Sequence, residues 1–133
     1  MEKLKITDLS IGDWVQYEGQ NRKIRAINDS TSLILLSNSP NFVGVGGVGP
    51  VPITPEILKK NGFDIYTEYL NSFVFDISTN SRIWLFKNSH DWTFQIMDSG
   101  LGFSHCIVKM LVKYIHQLQH ALRLAGVNKE IQL

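Results

Sequence analysis

Short apolar segments separated by turn-forming residues recur along most of this chain, and this pattern restricts the possible folds more than any other feature. In the first half, strand-like segments cover residues 14–17, 22–27 and 32–36. Each segment is closed by Gly, Asn, Asp or Ser, which favour turns over continued strands. A spacing of about ten residues between such segments predicts a small antiparallel meander.

The opening of this first module has a more specific pattern. Gly12-Asp13 precedes Trp14-Val15-Gln16-Tyr17, then Glu18-Gly19 provides a turn, and Ile24 and Ile27 follow on the next segment. This arrangement is similar to the opening of SH3-like small barrels. We therefore expect residues 1–53 to form a small SH3-like β module.

The second half begins with a helix signal. Thr54 can cap free amides, Pro55 suits the first helical turn, and Glu56 meets the positive end of the helix dipole. Gly62 then predicts the end of a short helix.

After this helix, alternating segments predict strands at 73–77, 82–87 and 92–97, with a short fourth strand over 101–104. The alternation predicts one aromatic core face that contains Phe73, Phe75, Trp92 and Phe94.

Residues 105–125 fit an amphipathic helix. The apolar side chains that share one helical stripe are Ile107, Leu111, Tyr114, Ile115, Leu118, Leu122 and Ala125. Val108 and Val112 widen the stripe on one flank, so they are the predicted self-association residues. The tail, 129–133, is predicted to return as an edge strand.

Together these elements predict an α+β protein. It comprises the SH3-like antiparallel module (1–53) and a second part (54–133) in which a short linking helix precedes an antiparallel meander packed against a long C-terminal helix. We expect the two parts to share one compact unit.

Composition excludes several classes of protein. The 133 residues are 44% hydrophobic and carry a formal net charge of +1, which is incompatible with intrinsic disorder. The single cysteine, Cys106, rules out an intrachain disulfide and a cysteine-based zinc site. No segment resembles a signal peptide or a membrane span, so we expect a cytoplasmic protein without membrane contact.

Two motifs match the sequence patterns of known binding or catalytic sites but lack a part that each site requires. Gly44–Gly49 matches G-x-G-x-x-G, but Pro50-Val51-Pro52 follows in place of the helix whose amides would hold a pyrophosphate. A hairpin tip or edge strand is the preferred interpretation. His116 and His120 have the spacing of a zinc-protease helix, but Gln117 occupies the position that needs a carboxylate.

No catalytic set can be assembled from the remaining residues. Cys106 is expected to be a buried thiol rather than a nucleophile. We therefore expect a protein without catalytic residues, metal or cofactor.

A nucleic-acid interface is the alternative prediction. Trp14 should lie on the outer face of its strand, and the next strand carries Arg22, Lys23 and Arg25. An exposed aromatic ring among cations combines base stacking with phosphate contacts. Packing of Trp14 against the second module, with solvated cations, remains the other interpretation.

A resemblance spans most of the chain. Pro52-Ile53-Thr54-Pro55-Glu56-Ile57-Leu58, Gly62-Phe63 and the block from Val112 to Gln119 resemble a family of uncharacterised proteins carried on prophages and mobile elements of gut anaerobes. The chain departs from this family after Gln119, where the family is more aromatic. The resemblance implies a mobile-element context and no catalytic residues. The expected function is a non-enzymatic protein-interaction module that binds a protein partner or itself, as a homodimer.

Overall fold

The protein was analysed as a computed structural model, which describes residues 3–66, 71–100, 102 and 104–133. It is a mixed α+β structure with two antiparallel five-stranded sheets and few helices. The chain divides into two compact units. The first contains the chain through Pro52 together with Tyr114–His116, and the second contains Ile53–Lys113 and Gln117–Leu133.

The first unit contains one sheet, in which the strands are ordered β4-β3-β2-β1-β5. Its strands are β1 (Trp14–Tyr17), β2 (Gln20–Asn28), β3 (Leu33–Leu36), β4 (Phe42–Gly44) and β5 (Gly49–Pro50). Two 3₁₀ helices, Ile6–Asp8 and Val45–Gly47, precede β1 and β5 respectively. The three strands predicted from local patterns are therefore confirmed.

The β1–β2 hairpin illustrates why these residues form strands. Its two loop residues, Glu18 and Gly19, have φ angles of 50° and 76°, which is the conformation that matches the twist of flanking strands in a two-residue hairpin. Because side chains alternate along each strand, the apolar side chains share one face of the sheet, and this face is buried. The buried cluster on this side contains Leu9, Val15, Ile24, Ile34, Leu36 and Val48.

The second unit begins with the predicted helix. Helix α1 (Pro55–Lys60) has Pro55 at its start, and the Thr54 hydroxyl accepts a hydrogen bond from the Ile57 amide at 3.3 Å. Gly62 follows with a φ of 87°, which glycine adopts at little cost.

A second sheet follows α1, with the order β10-β9-β8-β7-β6. Its strands are β6 (Asp64–Ile65), β7 (Ser72–Asp76), β8 (Ser81–Lys87), β9 (Trp92–Asp98) and β10 (His105–Val112). Phe73, Trp92 and Phe94 are buried as predicted, and Phe75 is half-buried. Of the predicted fourth strand, Leu101 and Phe103 lie outside the described residues, while Gly102 and Ser104 are not in a strand.

The predicted helix over 105–125 is wrong in its first half. His105–Val112 is a strand that pairs with β9, and only Ile115–Leu124 forms the helix α2, of ten residues. Three β-branched residues, Ile107, Val108 and Val112, favour a strand when a neighbouring strand supplies hydrogen bonds. The side chains are accordingly redistributed: Ile107 and Leu111 are 52% and 64% exposed, whereas Val112 is 2% exposed.

The chain after α2 contains no strand, contrary to the prediction for 129–133. Two side-chain amides hold it instead. The Asn61 amide donates to the Gln132 carbonyl and its oxygen accepts from the Gln132 amide, both at 2.7 Å. The Gln119 amide likewise donates to the Lys129 carbonyl at 2.7 Å and accepts from the Ile131 amide at 2.8 Å. Each amide thus pairs with the backbone as a neighbouring strand would.

Candidate interaction surfaces

Three surfaces combine exposure with recognisable chemistry. We call them the Trp14 face (Trp14, Lys23 and Arg25), the β10 edge (Ile107, Lys109 and Leu111 with the strand's outer backbone) and the Trp84 groove (Asp76, residues 78–81, Arg82, Trp84, Phe86, Gln95, Met97, Ser99 and Ser104). The first lies in the first unit, and the other two lie in the second.

The Trp14 face assembles three of the four residues in the predicted nucleic-acid site. Trp14 pairs directly with Lys23 across the β1–β2 hairpin, and the Lys23 ammonium nitrogen lies 5.2 Å from the ring centroid. Arg25 follows Lys23 by two residues on β2 and is exposed, at the point where the pairing of β2 with β3 shifts register. A cation close to an aromatic ring is a weakly stabilising contact that leaves the charge near solvent.

Arg22 does not join this face. It pairs with Val15, which is fully buried, so it belongs to the opposite side of the hairpin. Its guanidinium donates to the Ser37 and Asn38 carbonyls at 2.9 and 3.2 Å, and to the Gln20 side-chain oxygen at 2.9 Å. Arg22 therefore fastens the turn that leads from β3 to β4.

The β10 edge was missed because the segment was predicted as a helix. Among the described strands, β10 pairs only with β9, and its register shifts between Cys106 and Val108. Lys109 and Leu111 pair with Gln95 and Thr93, whereas Val108, Met110 and Val112 pair with the buried Ile96, Phe94 and Trp92. One side of β10 thus continues the core, and the other is an exposed apolar side with a central lysine.

The two predicted self-association residues lie on this strand and not on a helix. Val108 is half-buried and Val112 is buried, so their side chains face the core. The signal that could have revealed the strand is the alternation of Val108, Met110 and Val112 with Lys109.

The Trp84 groove crosses the sheet face opposite the core. Trp84 and Phe86 stack with ring centroids 5.4 Å apart and an interplanar angle of 5°. The Arg82 guanidinium lies 5.9 Å from the Trp84 centroid, and Tyr66 packs edge-on against Trp84 at 4.6 Å. Residues at every second position of one strand share a face, which explains why Arg82, Trp84 and Phe86 form a row.

An ion pair closes one end of this row. Arg82 Nε donates to Asp76 Oδ1 at 2.6 Å, and this hydrogen bond raises the pKa of the Arg82 guanidinium. The two residues are directly opposite on β8 and β7. Because both side chains are substantially exposed, the pair adds little to folding stability.

Two hollows flank Trp84. The hollow beside the ion pair has a volume of about 330 Å³ and is lined mainly by polar side chains, including the turn 78–81. The hollow beside Phe86 has a volume of about 300 Å³ and is mainly apolar. Trp84, Met97 and Ser104 line both hollows, so the two form one groove with a polar end and an apolar end.

The remaining candidate residues lie elsewhere. Gly44 ends β4, a 3₁₀ helix follows, and β5 begins at Gly49, so no α-helix begins directly after the glycines. The interpretation as edge-strand structure is confirmed, because β4 and β5 are the outer strands of their sheet.

The cysteine and two histidines of α2 were the other candidates for a chemical site. Cys106 is exposed, contrary to the prediction, and its thiol donates to the Val108 carbonyl at 3.2 Å. His116 is buried and His120 is half-buried on α2. No group of three His, Cys, Asp or Glu residues suitable for a metal occurs within the described residues.

Comparisons with known proteins add no relative. No family model, curated protein or solved structure matches this chain. Across the described residues, no helix is both long and apolar enough to span a bilayer.

Proposed function

We propose that this protein is a non-enzymatic interaction module that self-associates by antiparallel pairing of the β10 edge with the same edge of a second copy. The observation that carries this proposal is an outermost strand of eight residues that exposes Ile107 and Leu111. A long apolar edge has unused backbone donors and acceptors, and it is the surface to which another strand adds most readily.

The residues of β10 favour a second copy of this chain as the occupant. Opposed residues of an antiparallel pair share a face, so a two-fold axis at Met110 places Lys109 opposite Leu111 of the second copy. The same register places Val108 opposite Val112 of the second copy and extends the core side continuously. An axis at Lys109 would instead oppose two like charges, which destabilises the pair.

Sedimentation equilibrium of the wild type and two lysine variants tests this proposal. Leu111→Lys removes an apolar contact and adds a charge at the edge, so we expect dimerisation to weaken by about tenfold or more. Leu124→Lys is the matched control, because Leu124 is 82% exposed and belongs to α2 instead of β10. A wild type that stays monomeric at high concentration, or equal weakening by both variants, would contradict the proposal.

Nucleic-acid binding by the Trp14 face is the second candidate function. The Trp14–Lys23 contact, with the exposed Arg25 two residues further along β2, supports it. Binding of a fluorescent oligothymidylate should weaken steeply as salt rises, because phosphate contacts release counterions. Arg25→Met should weaken binding several-fold while Arg123→Met leaves it unchanged. Absence of binding at low salt would eliminate this candidate.

The finer description of the fold is also part of this proposal. The strand order β4-β3-β2-β1-β5, with a 3₁₀ helix before the last strand, supports an SH3-like barrel for the first unit. The burial of Leu118 and Leu122 supports packing of α2 on the aromatic side of the meander. The resemblance of the Pro52–Leu58 and Val112–Gln119 segments supports a cytoplasmic protein of a prophage or mobile element.

A further inference from the structure

The Trp84 groove has the composition of a small-molecule site. It adjoins the β10 edge, because Gln95 of the groove pairs with Lys109. Its hollows, of about 330 and 300 Å³, are each near the lower end of the range for ligand sites, which is roughly 300–1,000 Å³. Such sites combine an apolar wall with a few polar groups that fix orientation. Here Trp84, Phe86 and Met97 supply the wall, and Asp76 and Arg82 supply the fixed polar groups.

Several polar atoms at the groove are available to a ligand. The ion pair uses Arg82 Nε and Asp76 Oδ1. In the part of the chain that the structure describes, neither Nη atom of Arg82 nor Oδ2 of Asp76 has a hydrogen-bond partner, and the Thr79 hydroxyl has none either. Donors and acceptors thus lie side by side, held in position by the cross-strand pairing of Asp76 with Arg82.

Charge restricts the class of ligand. Among the lining residues that the structure describes, Arg82 is the sole cation, and Asp76 neutralises it. A nucleic-acid strand requires uncompensated cations along its phosphates, so this groove is poorly suited to it. A neutral ligand that offers hydroxyl groups on one side and C–H groups on the other matches the two ends.

We propose that the Trp84 groove binds a neutral saccharide. The ring hydroxyls would accept from Arg82 Nη and donate to Asp76 Oδ2, and Thr79 would provide a further hydroxyl contact. The C–H side of the sugar would pack against Met97 and the edge of the Trp84–Phe86 row. The ion pair fixes the orientation of both charged groups before the ligand arrives, which lowers the ordering cost of binding.

Proton–nitrogen NMR titration of the full chain tests this proposal. The probes are glucose, galactose, mannose, N-acetylglucosamine and their β-1,4-linked disaccharides, each taken to tens of millimolar. We expect at least one of them to shift the resonances of residues 76–84, Met97 and Ser99. No shift with any of these sugars, or shifts located outside the groove, would overturn the proposal.

Matched arginine variants separate a bound sugar from general surface effects. Arg82→Met keeps the aliphatic stem and removes the donors, so affinity should fall by about tenfold. Arg123→Met is the control, because Arg123 is equally exposed, at 38% against 39% for the side chain, and also faces a carboxylate. Affinity that survives Arg82→Met, or an oligothymidylate that displaces the sugar from these residues, would contradict the proposal.

Discussion

The two sheets have the same number of antiparallel strands, but they differ in how they end. The first sheet ends at β4 and β5, which contain three and two residues. The second ends at β6, with two residues, and at β10, with eight. Short edges offer too few backbone groups for another strand to pair with, which is one way in which proteins limit unwanted association. Only β10, among the described edges, lacks this protection.

This difference shows where self-association is expected and what opposes it. The protection that β10 does have comes from Lys109 and the register shift after Cys106. A charged residue and a bulge both discourage strand addition, but neither covers Leu111. Strand addition at β10 is therefore weakened but not prevented.

The largest expected effect on stability compares a buried position on the edge strand β10 with an exposed position on the edge strand β4. Val112→Asp would bury a carboxylate beside Trp92, so we expect a loss of several kcal/mol in the free energy of unfolding. Phe42→Asp, on the half-exposed edge strand β4, should change it by less than about 1 kcal/mol. Urea denaturation measures both. Similar losses of stability for the two variants would show that β10 does not contribute more to the core than β4 does.

The next effect concerns the C-terminal tail, residues 127–133, which two side-chain amides hold although it joins no sheet. Gln119→Leu keeps the side-chain size but removes the hydrogen bonds of Gln119 with the Lys129 carbonyl and the Ile131 amide, at a cost of about 1–3 kcal/mol. Gln117→Leu, at a half-buried position on the same helix, is the comparison variant and removes a contact to the Lys113 amide. Equal thermal stability of Gln119→Leu and the wild type would mean that these amide contacts do not hold the tail.

A smaller effect separates the roles of two arginines on β2. Arg22→Met removes the contacts to the Ser37 and Asn38 carbonyls, so the free energy of unfolding should fall by about 1 kcal/mol without a change in oligonucleotide binding. Arg25→Met should weaken oligonucleotide binding and leave the free energy of unfolding unchanged. If Arg22→Met weakened oligonucleotide binding at unchanged stability, Arg22 would be part of the nucleic-acid surface after all.

The smallest effect tests the protection of the β10 edge directly. Lys109→Thr removes the central charge and keeps strand propensity, so dimerisation should strengthen by roughly two- to threefold. Sedimentation equilibrium in low salt is the suitable measurement, because salt screens exposed charges. Weaker dimerisation would indicate that Lys109 makes an attractive contact across the interface.

Local chemistry made much of the fold predictable. Thr54 and Pro55 start α1, and Glu18-Gly19 forms the β1–β2 hairpin, because each residue acts on its immediate backbone. The segment 105–112 was not predictable in this way, since Ile107 and Leu111 have helical spacing and β9 decides the outcome through long-range pairing. The Trp84 groove depends on the same long-range register, which brings Asp76 opposite Arg82.

Of the candidate site residues, the sequence placed Trp14 and Lys23 together because strand alternation is local. It misplaced Arg22, whose position two residues before Ile24 puts it on the inner side of the hairpin, where the Ser37 and Asn38 carbonyls attract its guanidinium. Residue type alone could not distinguish a cation that faces solvent from one that fastens a turn.

Hydrogen–deuterium exchange at two protein concentrations tests the pairing of β10 most directly. If two copies pair through β10, the amides of β10 that point away from β9 exchange more slowly as concentration rises, while the amides of β4 do not change. Leu111→Lys should abolish this dependence. Exchange of the β10 amides that is independent of concentration across the range would contradict the pairing of two copies through this edge.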